Sequence, residues 1–359
     1  MKIVVRGTNW IGDSVMSVPA LRALRQLFPN DEITLHTRSW AEGIFRDADF
    51  IDRILTYDRP ESSLAEVVGQ ARVLREEKFD VAIMFPNSFA SALTARLAGI
   101  PRRFGFSKEG RRIVLTDPVS IPQWKAQKHE AFYYLELVKV VENSLLGTDR
   151  AAKLEMTIEL PVSDARKEEA RNFLSRKGID FSNPIIALGP GSTNSMAKRW
   201  PFERFAEVAD RLTREANASI VLLGGPDDVD VAATLADAMD ALPLDLTAKT
   251  SLADAAAILS VCDLMISNDM GLAHLAPAVG TKTLVIFGPT DPVTTRPFSD
   301  LAEVLRVDVE CSPCMLRECP IDHRCMEWIT SLQVFEAALV KLKSNDRNVT
   351  IAAGDLSGS

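Results

Sequence analysis

Residues 1–27 read MKIVVRGTNWIGDSVMSVPALRALRQL, and this stretch decides the fold. Ile3–Val5 form a short apolar, β-branched run, Ser14–Leu27 form a longer amphipathic stretch, and a loop with two glycines joins them. A short continuous apolar run is typical of a strand that is buried on both faces, and an amphipathic stretch of this length is typical of a helix that covers a sheet. The stretch therefore predicts a strand–loop–helix unit of an α/β protein.

The same alternation of strand-like and helix-like stretches recurs along the chain. It predicts an α/β fold with two Rossmann-like, doubly wound parallel-sheet domains that face each other across a cleft. The predicted strands are Ile3–Val5, Ile33–His36, Val81–Phe85, Ile185–Leu188, Ile220–Leu223, Leu264–Ile266 and Leu284–Phe287. Besides Ser14–Leu27, the predicted helices include Leu64–Lys78, Phe202–Ala216 and Leu252–Val261.

The chain of 359 residues is long enough to form two hydrophobic cores. We predict an amino-terminal domain in residues 1–162, a linker in 163–183 with a helix around 163–177, a carboxyl-terminal domain in 184–343 and a flexible tail in 344–359. Ligands of doubly wound sheets bind beyond the carboxyl ends of the strands, so we expect the site in the cleft between the two domains.

Composition excludes several classes of protein. Hydrophobic residues make up 47% of the chain and charged residues 25%, which is the balance of an ordinary water-soluble protein. No run approaches the ~18 apolar residues that a membrane span requires. The first residues already form a predicted core strand, so we expect no signal peptide and a cytoplasmic location. With a net charge of −8 and no nucleic-acid-binding motif, we expect no nucleic-acid partner.

Positive charge is concentrated in residues 101–128, which hold seven basic and two acidic residues. One interpretation is a solvated loop face. The other is a binding site for an anionic acceptor or for an anionic lipid surface. The candidate acceptor-binding residues are Arg102, Arg103, Lys108, Arg111 and Arg112.

The loop after the first strand reads RGTNWIGDS, residues 6–14, and opens the first helix. It lacks the G-x-G-x-x-G pattern of a dinucleotide-binding loop. Asp13 lies where the helix begins, at the mouth of the predicted cleft. Position alone favours a helix cap, which aspartate forms well. The alternative is a general base, because a carboxylate at a helix start stays ionised and can accept a proton from a sugar hydroxyl.

A second loop, GPGSTNSMAKRWP at residues 189–201, follows the first strand of the second domain. Gly12 of the first loop and Ser192 and Thr193 of this loop are candidate donor-binding residues, and Lys198 adds positive charge. Small hydroxyl residues and a nearby cation suit a phosphate or diphosphate. The competing interpretation is a surface loop with a chance basic pair; loop position and spacing favour the phosphate site.

A third motif, ISNDMGLAHLA at residues 266–276, runs from a strand end into a helix. The backbone N–H groups of Met270, Gly271 and Leu272 would point out of the helix start, which suits a pyrophosphate. Asp269 is placed either to cap the helix or to meet a ligand hydroxyl. His274 lies about one turn further on, and a lone histidine on a helix is usually structural.

Two more loops end at the same predicted edge of the second sheet. Residues 287–292, FGPTDP, form a turn-rich segment after the last predicted strand. Residues 222–228, LLGGPDD, carry carboxylates that suit the hydroxyls of a ribose.

Four of the five cysteines fall between residues 311 and 325, as Cys311, Cys314, Cys319 and Cys325. Their spacing is not that of a standard zinc ribbon or knuckle. One interpretation, which we favour, is a set of partly buried cytosolic thiols, or disulfides that form only after purification. The other is a structural metal site.

Taken together, these motifs resemble the lipopolysaccharide heptosyltransferases of glycosyltransferase family nine. The resemblance rests on RGTNWIGDSVMSVPALRALRQLFP, PGSTNSMAKRWP, NDMGLAHLAPAVGTKTLVIFGPTDP and CSPCMLRECPIDHRCM, which span nearly the whole chain in the family's order. The cysteine-rich stretch with its ECP-x2-H core is most similar to the type II enzymes, which add the second inner-core heptose.

The resemblance implies a GT-B fold and an inverting, metal-independent transfer with no cofactor. ADP-heptose is the implied donor, bound in the carboxyl-terminal domain, and the lipopolysaccharide core with its lipid A is the implied acceptor, bound in the amino-terminal domain at the inner face of the inner membrane. Asp13 matches the catalytic base and Lys198 the lysine that supports the donor phosphates. Asp269, Gly271 and His274 match the donor-binding helix start.

Three alternative functions stay open on the sequence. The first is a related transferase of type I or III, or one that uses another sugar, since Thr193–Met196 depart from the family's loop. The second is a non-catalytic nucleotide-binding module, which retention of both Asp13 and Lys198 disfavours. The third is an NAD-dependent oxidoreductase, which the missing glycine fingerprint disfavours.

Overall fold

The computed structural model of the protein describes residues 1–59, 61–193 and 195–344. The predicted flexible tail, residues 344–359, lies outside the described residues except for Ser344. The strands are β1 (Lys2–Arg6), β2 (Glu32–Arg38), β3 (Arg53–Tyr57), β4 (Val81–Met84), β5 (Arg102–Phe106), β6 (Asp117–Val119), β7 (Ile185–Gly189), β8 (Ser219–Leu222), β9 (Leu244–Asp245), β10 (Leu264–Asn268), β11 (Lys282–Ile286) and β12 (Ala302–Leu305).

The α-helices alternate with these strands along the chain. They are α1 (Ile11–Met16), α2 (Val18–Leu27), α3 (Leu64–Glu77), α4 (Phe89–Leu97), α5 (Glu130–Leu146), α6 (Asp164–Arg176), α7 (Phe202–Ala216), α8 (Val229–Ala238), α9 (Leu252–Leu259), α10 (Gly271–Ala278), α11 (Pro292–Thr295), α12 (Arg324–Glu327) and α13 (Ser331–Lys343).

The strands form two six-stranded sheets with the same internal order. The first runs β3-β2-β1-β4-β5-β6, and the second runs β12-β11-β10-β7-β8-β9. In each sheet the first strand of the domain therefore lies at the centre, beside the fourth, and the described pairings are parallel. This is the doubly wound order, in which the chain reverses direction next to the first strand. The predicted fold class, two parallel-sheet α/β domains, is confirmed.

Side chains of the central strands alternate between two cores. Ile3 and Val5 of β1 pack in a cluster with Leu21 and Leu24 of α2. Val4, between them, packs in a separate cluster with α3 and α4. Successive side chains of a strand point to opposite faces, so helices on both faces bury Ile3–Arg6, and only Lys2 at the start of β1 is partly exposed. This explains why the strand reads as a continuous apolar run.

The predicted strands match the central strands of both sheets, while β3, β5, β6, β9 and β12 were not predicted. Four of these, β3, β6, β9 and β12, are the edge strands of their sheets, where fewer positions are buried, and β6 also contains a proline. The fifth, β5, is atypical in sequence, because it begins with two arginines and contains a glycine. Apolar periodicity signals burial, and these strands have little of it.

The predicted first helix, Ser14–Leu27, was wrong as one element. The structure divides this region into α1 and α2, with Ser17 between them, and α1 begins three residues earlier than predicted. Pro19 occupies the first turn of α2, where its missing N–H costs nothing, but it cannot continue a preceding helix. The break orients α1 independently of α2.

The predicted linker helix around 163–177 is α6, which packs against α9 of the second domain. Among residues 1–59, 61–193 and 195–344, no helix combines the length and apolar composition needed to cross a membrane.

Candidate active site

The two domains meet through α1 and α10, whose first turns follow the carboxyl ends of β1 and β10. A Cβ atom on Gly12 would lie 3.1 Å from Cδ2 of His274, and one on Gly271 would lie 2.5 Å from Cβ of Ile11. A Cβ atom at position 271 would displace α1, and one at position 12 would push against the ring of His274. The first and third sequence motifs therefore lie in direct contact where the two domains meet.

Asp13 lies in the first turn of α1 and does not cap that helix. The N-cap residue is Trp10, and no cap hydrogen bond from a side chain is found there among the described residues. The Oδ1 atom of Asp13 instead accepts a hydrogen bond of 3.1 Å from the hydroxyl of Tyr134 on α5. Burial raises the pKa of Asp13 to about 6, against the opposing effect of that hydrogen bond. A carboxylate with this pKa is ionised at pH 7 and still basic enough to accept a proton.

Charged groups from both domains act on Asp13. Glu130 raises its pKa, while Lys125 and Lys198 lower it. Lys125 and Glu130 form an ion pair with each other at the start of α5. Lys198 belongs to the second domain, so its positive charge reaches Asp13 across the cleft. The two residues that the sequence singled out for chemistry thus lie in one electrostatic environment.

Asp269 anchors the side chains around Lys198. Its Oδ2 lies 2.8 Å from Nζ of Lys198 and accepts a hydrogen bond of 2.7 Å from the hydroxyl of Thr290. Its Oδ1 lies 4.0 Å from Nε2 of His274. Asp269 is 5% exposed, so these contacts hold it rigidly between the loops after β10 and β11. The ammonium group of Lys198 carries three donors, and the ion pair leaves the others available to a ligand.

The start of α10 is a candidate anion-binding site. Met270 is the N-cap residue, and no side chain in the described part of the chain caps this helix. The first N–H groups of a helix have no partner within it, and the helix dipole places partial positive charge there. Asp269, the residue before Met270, binds Lys198 and Thr290 instead of these N–H groups. Gly271 and the buried Leu272 form the first turn, as the sequence predicted.

His274 is buried and uncharged. Burial lowers its pKa to about 4, so the ring is neutral at pH 7. Its Nδ1 atom has no hydrogen-bond partner among the described residues. The ring packs against Gly12, which joins the two domains at the cleft.

Asn268, in the third motif, forms hydrogen bonds to the second motif, residues 189–201. Its Oδ1 accepts a hydrogen bond of 3.0 Å from the backbone N–H of Trp200, and its Nδ2 donates one of 2.7 Å to the carbonyl of Pro190. The side chain is fully buried. The amide therefore closes both ends of the loop that carries Lys198. Sequence reasoning missed this role, although the position of Asn268 at a strand end next to Asp269 was a usable signal.

The remaining candidates of the loop after β7 differ in exposure. Ser192 is buried and Thr193 is exposed. Beneath them, the carboxylate of Asp228 lies against Gly191, where a Cβ atom would approach Oδ1 to 2.0 Å. Oδ2 of Asp228 accepts a hydrogen bond of 2.9 Å from the N–H of Gly225. The loops after β7 and β8 are thereby packed together beside Lys198.

Residues 68–324 match glycosyltransferase family 9 (heptosyltransferase), which covers more than half of the chain. The chain belongs to this family. It is therefore a glycosyltransferase.

Individual members of family 9 resemble this glycosyltransferase over most of its length. Lipopolysaccharide heptosyltransferase 2 of Escherichia coli is 30% identical over 86% of this chain and 88% of its own length. Lipooligosaccharide heptosyltransferase 2 of Haemophilus influenzae is 28% identical over 86% and 89%. The solved structure of ADP-heptose lps heptosyltransferase II from E. coli matches with a TM-score of 0.81 at 28% identity, over 95% of this chain and 98% of that one. The predicted GT-B architecture is confirmed by this similarity.

The five basic residues proposed for the acceptor do not form one exposed group in the glycosyltransferase. Arg102 pairs with Asp117 at 2.7 Å, and Arg103 donates from Nε to the carbonyl of Val114 at 2.9 Å. Arg111 is fully buried, with its Nε donating to the carbonyl of Phe106 at 2.6 Å. These three guanidinium groups are used within the fold. The sequence analysis interpreted residues 101–128 as a solvated face or as an anion-binding site. It did not consider that some of the arginines stabilise the fold through internal hydrogen bonds and ion pairs.

Lys108 and Arg112 are exposed, next to β5 and β6. Each follows the carboxyl end of β5 and lies in the loop that leads to β6. Of the five predicted residues, these two present free charge to a ligand.

The four clustered cysteines are free thiols. Burial, together with the neighbouring Cys311, Cys319 and Cys314, raises the pKa of Cys325 to about 11. Within the part of the chain that the structure describes, no group of three or more histidine, cysteine or carboxylate side chains is arranged to hold a metal ion.

Proposed function

We propose that the enzyme transfers heptose from ADP-L-glycero-D-manno-heptose to the inner-core heptose of lipopolysaccharide, with inversion at the anomeric carbon. The observation that carries the proposal is the placement of Asp13 in a cleft opposite Lys198, in a chain whose relatives are named as the second lipopolysaccharide heptosyltransferase. We favour this activity over that of types I and III because these similar relatives and the similar solved structure are all named as the second enzyme.

The donor binds in the carboxyl-terminal domain, residues 184–343. The diphosphate meets the free N–H groups of Met270, Gly271 and Leu272 and the ammonium of Lys198. Ser192 and Thr193 belong to the loop after β7 that also carries Lys198. Asp269 holds Lys198 in place. Of the two carboxylates in residues 222–228, the exposed Asp227 faces the ribose, whereas Asp228 is buried against Gly191 and does not reach the ligand.

The acceptor binds in the amino-terminal domain, residues 1–162. Its hydroxyl attacks the anomeric carbon of heptose from the face opposite ADP. The new carbon–oxygen bond forms as the bond to ADP breaks, the proton passes to Asp13, and ADP leaves with the electron pair. Negative charge then grows on the diphosphate, where Lys198 and the start of α10 stabilise it without a metal ion.

The acceptor carries phosphates and a lipid anchor, which suits a peripheral position at the inner face of the inner membrane. Lys108 and Arg112 are the exposed cations that we assign to the acceptor's anionic groups or to anionic lipid. Arg102, Arg103 and Arg111 support that surface from within the fold.

Thermal stabilisation by nucleotides tests the donor assignment. We expect ADP to raise Tm more than UDP, GDP or NAD at the same free concentration L, because a ligand that binds only the folded state stabilises it by RT ln(1 + L/Kd), which is larger for the tighter ligand. The control is Lys198→Ala, in which the ADP effect shrinks. A preference for NAD would overturn the transferase proposal, and a preference for UDP or GDP would overturn the ADP-heptose donor.

A further inference from the structure

We propose that Tyr134 is the positioning residue of Asp13. Its hydroxyl binds Oδ1 of the carboxylate, so that Oδ2 is the oxygen that receives the acceptor proton. The inference rests on the proposed function, because it requires Asp13 to act as the base.

The geometry of Tyr134 makes its hydroxyl a fixed donor. The residue lies on the second turn of α5 and is 4% exposed, with its ring 5.2 Å from that of Phe85. The hydroxyl lies 3.1 Å from Oδ1 of Asp13, and an ionised carboxylate only accepts hydrogen bonds. Burial and the charge of Asp13 raise the pKa of Tyr134 well above its usual value, so the phenol keeps its proton. The second carboxylate oxygen, Oδ2, has no hydrogen-bond partner among the described residues.

Other charged groups around Asp13 are less able to orient it. Lys125 is paired with Glu130, and Lys198 with Asp269. His274, from α10, is neutral. These groups change the potential at Asp13, but in the described structure only Tyr134 makes a directional contact with its carboxylate.

The contact has a measurable consequence for proton transfer. A hydrogen bond to the ionised carboxylate favours that form and lowers the pKa of Asp13, in opposition to burial. Its removal raises this pKa. The acid limb of the kcat/KM profile then moves to higher pH, since the base must be ionised in the free enzyme.

Tyr133 supplies a matched control on the same helix. Its hydroxyl donates to Oδ1 of Asn87 at 3.3 Å, and its ring stacks on Phe106 at 3.9 Å between centroids. Tyr133→Phe therefore removes an equivalent buried hydroxyl without removing a contact to Asp13.

The experiment measures kcat/KM against pH for the wild type, Tyr134→Phe and Tyr133→Phe, with ADP-heptose and a truncated core acceptor. In Tyr134→Phe we expect the midpoint of the acid limb to rise by about one pH unit, as the loss of a single hydrogen bond predicts. We expect ADP affinity to stay unchanged, and Tyr133→Phe to keep the wild-type midpoint. An unchanged midpoint in Tyr134→Phe, or an equal shift in both variants, would overturn the inference.

Asp13→Asn separates this inference from the proposed function. Full activity in Asp13→Asn would refute the base assignment itself. Loss of activity in Asp13→Asn with an unchanged midpoint in Tyr134→Phe would refute the positioning role alone.

A second measurement covers the case in which Tyr134→Phe does not fold. The chain has 3 tyrosines, so biosynthetic incorporation of 3-fluorotyrosine into Tyr133→Phe modifies only Tyr57 and Tyr134. Fluorination makes the phenol a stronger donor, so the midpoint should move to lower pH. A midpoint that does not move, or that moves to higher pH, contradicts the inference.

Discussion

At the scale of single residues, Asp13 shows where sequence reasoning reaches its limit. Position at a helix start favoured a cap, and only the resemblance favoured a base. In the described structure Asp13 makes no cap hydrogen bond. Its carboxylate accepts a hydrogen bond from Tyr134, which lies 121 residues further along the chain. Contacts between residues so far apart in the chain depend on how α5 crosses α1, which local sequence does not encode. Tyr134 was therefore not predictable, whereas Lys198 and Asp269 were found from their loops.

Asp13→Asn should lower kcat by about 10²–10⁴-fold, because the amide cannot take the proton from the acceptor hydroxyl. ADP binding, measured by calorimetry, should stay nearly unchanged. Burial raises the pKa of Asp13 in the folded protein to about 6, so the free energy of unfolding falls as pH rises from about 4 to about 6 and Asp13 ionises. The variant should therefore have an equal or higher Tm than the wild type at pH 7.5. Wild-type activity, or a lower Tm there, would contradict this account.

Lys198→Ala should raise KM for the donor and lower kcat by about 10²–10³-fold, because one cation that stabilises the leaving diphosphate is lost. Steady-state kinetics with varied ADP-heptose measure both constants. The control is Lys343→Ala, which removes an exposed lysine at the end of α13 in the same domain and should leave both constants unchanged. An unchanged kcat and KM in Lys198→Ala would rule out the assigned role.

At the scale of elements, the contact between α1 and α10 joins the base to the donor site. Strand-to-loop-to-helix order correctly predicted that both helices start at the cleft. It did not predict that two glycines allow their first turns to touch, because glycine in a loop has several explanations. The break between α1 and α2 was missed for a related reason: the apolar periodicity continues through Ser17, and the proline at position 19 fits a first turn as well as a kink.

Gly271→Ala should separate the two helices. The added Cβ would lie 2.5 Å from Cβ of Ile11, so α1 must move and carry Asp13 with it. We expect transfer to fall at least about tenfold, because misplacement of a reacting group by about 1 Å is costly. Gly69→Ala on α3 is the control, since nothing lies within 4 Å of its Cβ position, and it should retain full activity. Normal transfer by Gly271→Ala at an unchanged Tm would show that the helix contact does not position the base.

At the scale of the whole molecule, the two-domain architecture was largely predictable. Central strands buried on both faces are continuous apolar runs, so β1, β4, β7, β10 and β11 were found directly. Edge strands and the arginine-rich β5 carry little of that signal. The internal partners of Arg102, Arg103 and Arg111 were not predicted, because net charge does not reveal which guanidinium groups bind partners inside the fold. The proposed identity of the transferred sugar rests on family membership, since the residues of these loops by themselves predict a diphosphate ligand but no particular sugar.

The most direct test of the central claim is mass spectrometry of the product formed from ADP-heptose and a series of truncated core acceptors. We expect a mass increase of one heptose on acceptors that end in the first inner-core heptose, in the wild type and not in Asp13→Asn. Heptose addition to acceptors that lack that residue would contradict the proposed acceptor. No heptosyl product from any acceptor, with ADP bound, would contradict the proposed reaction.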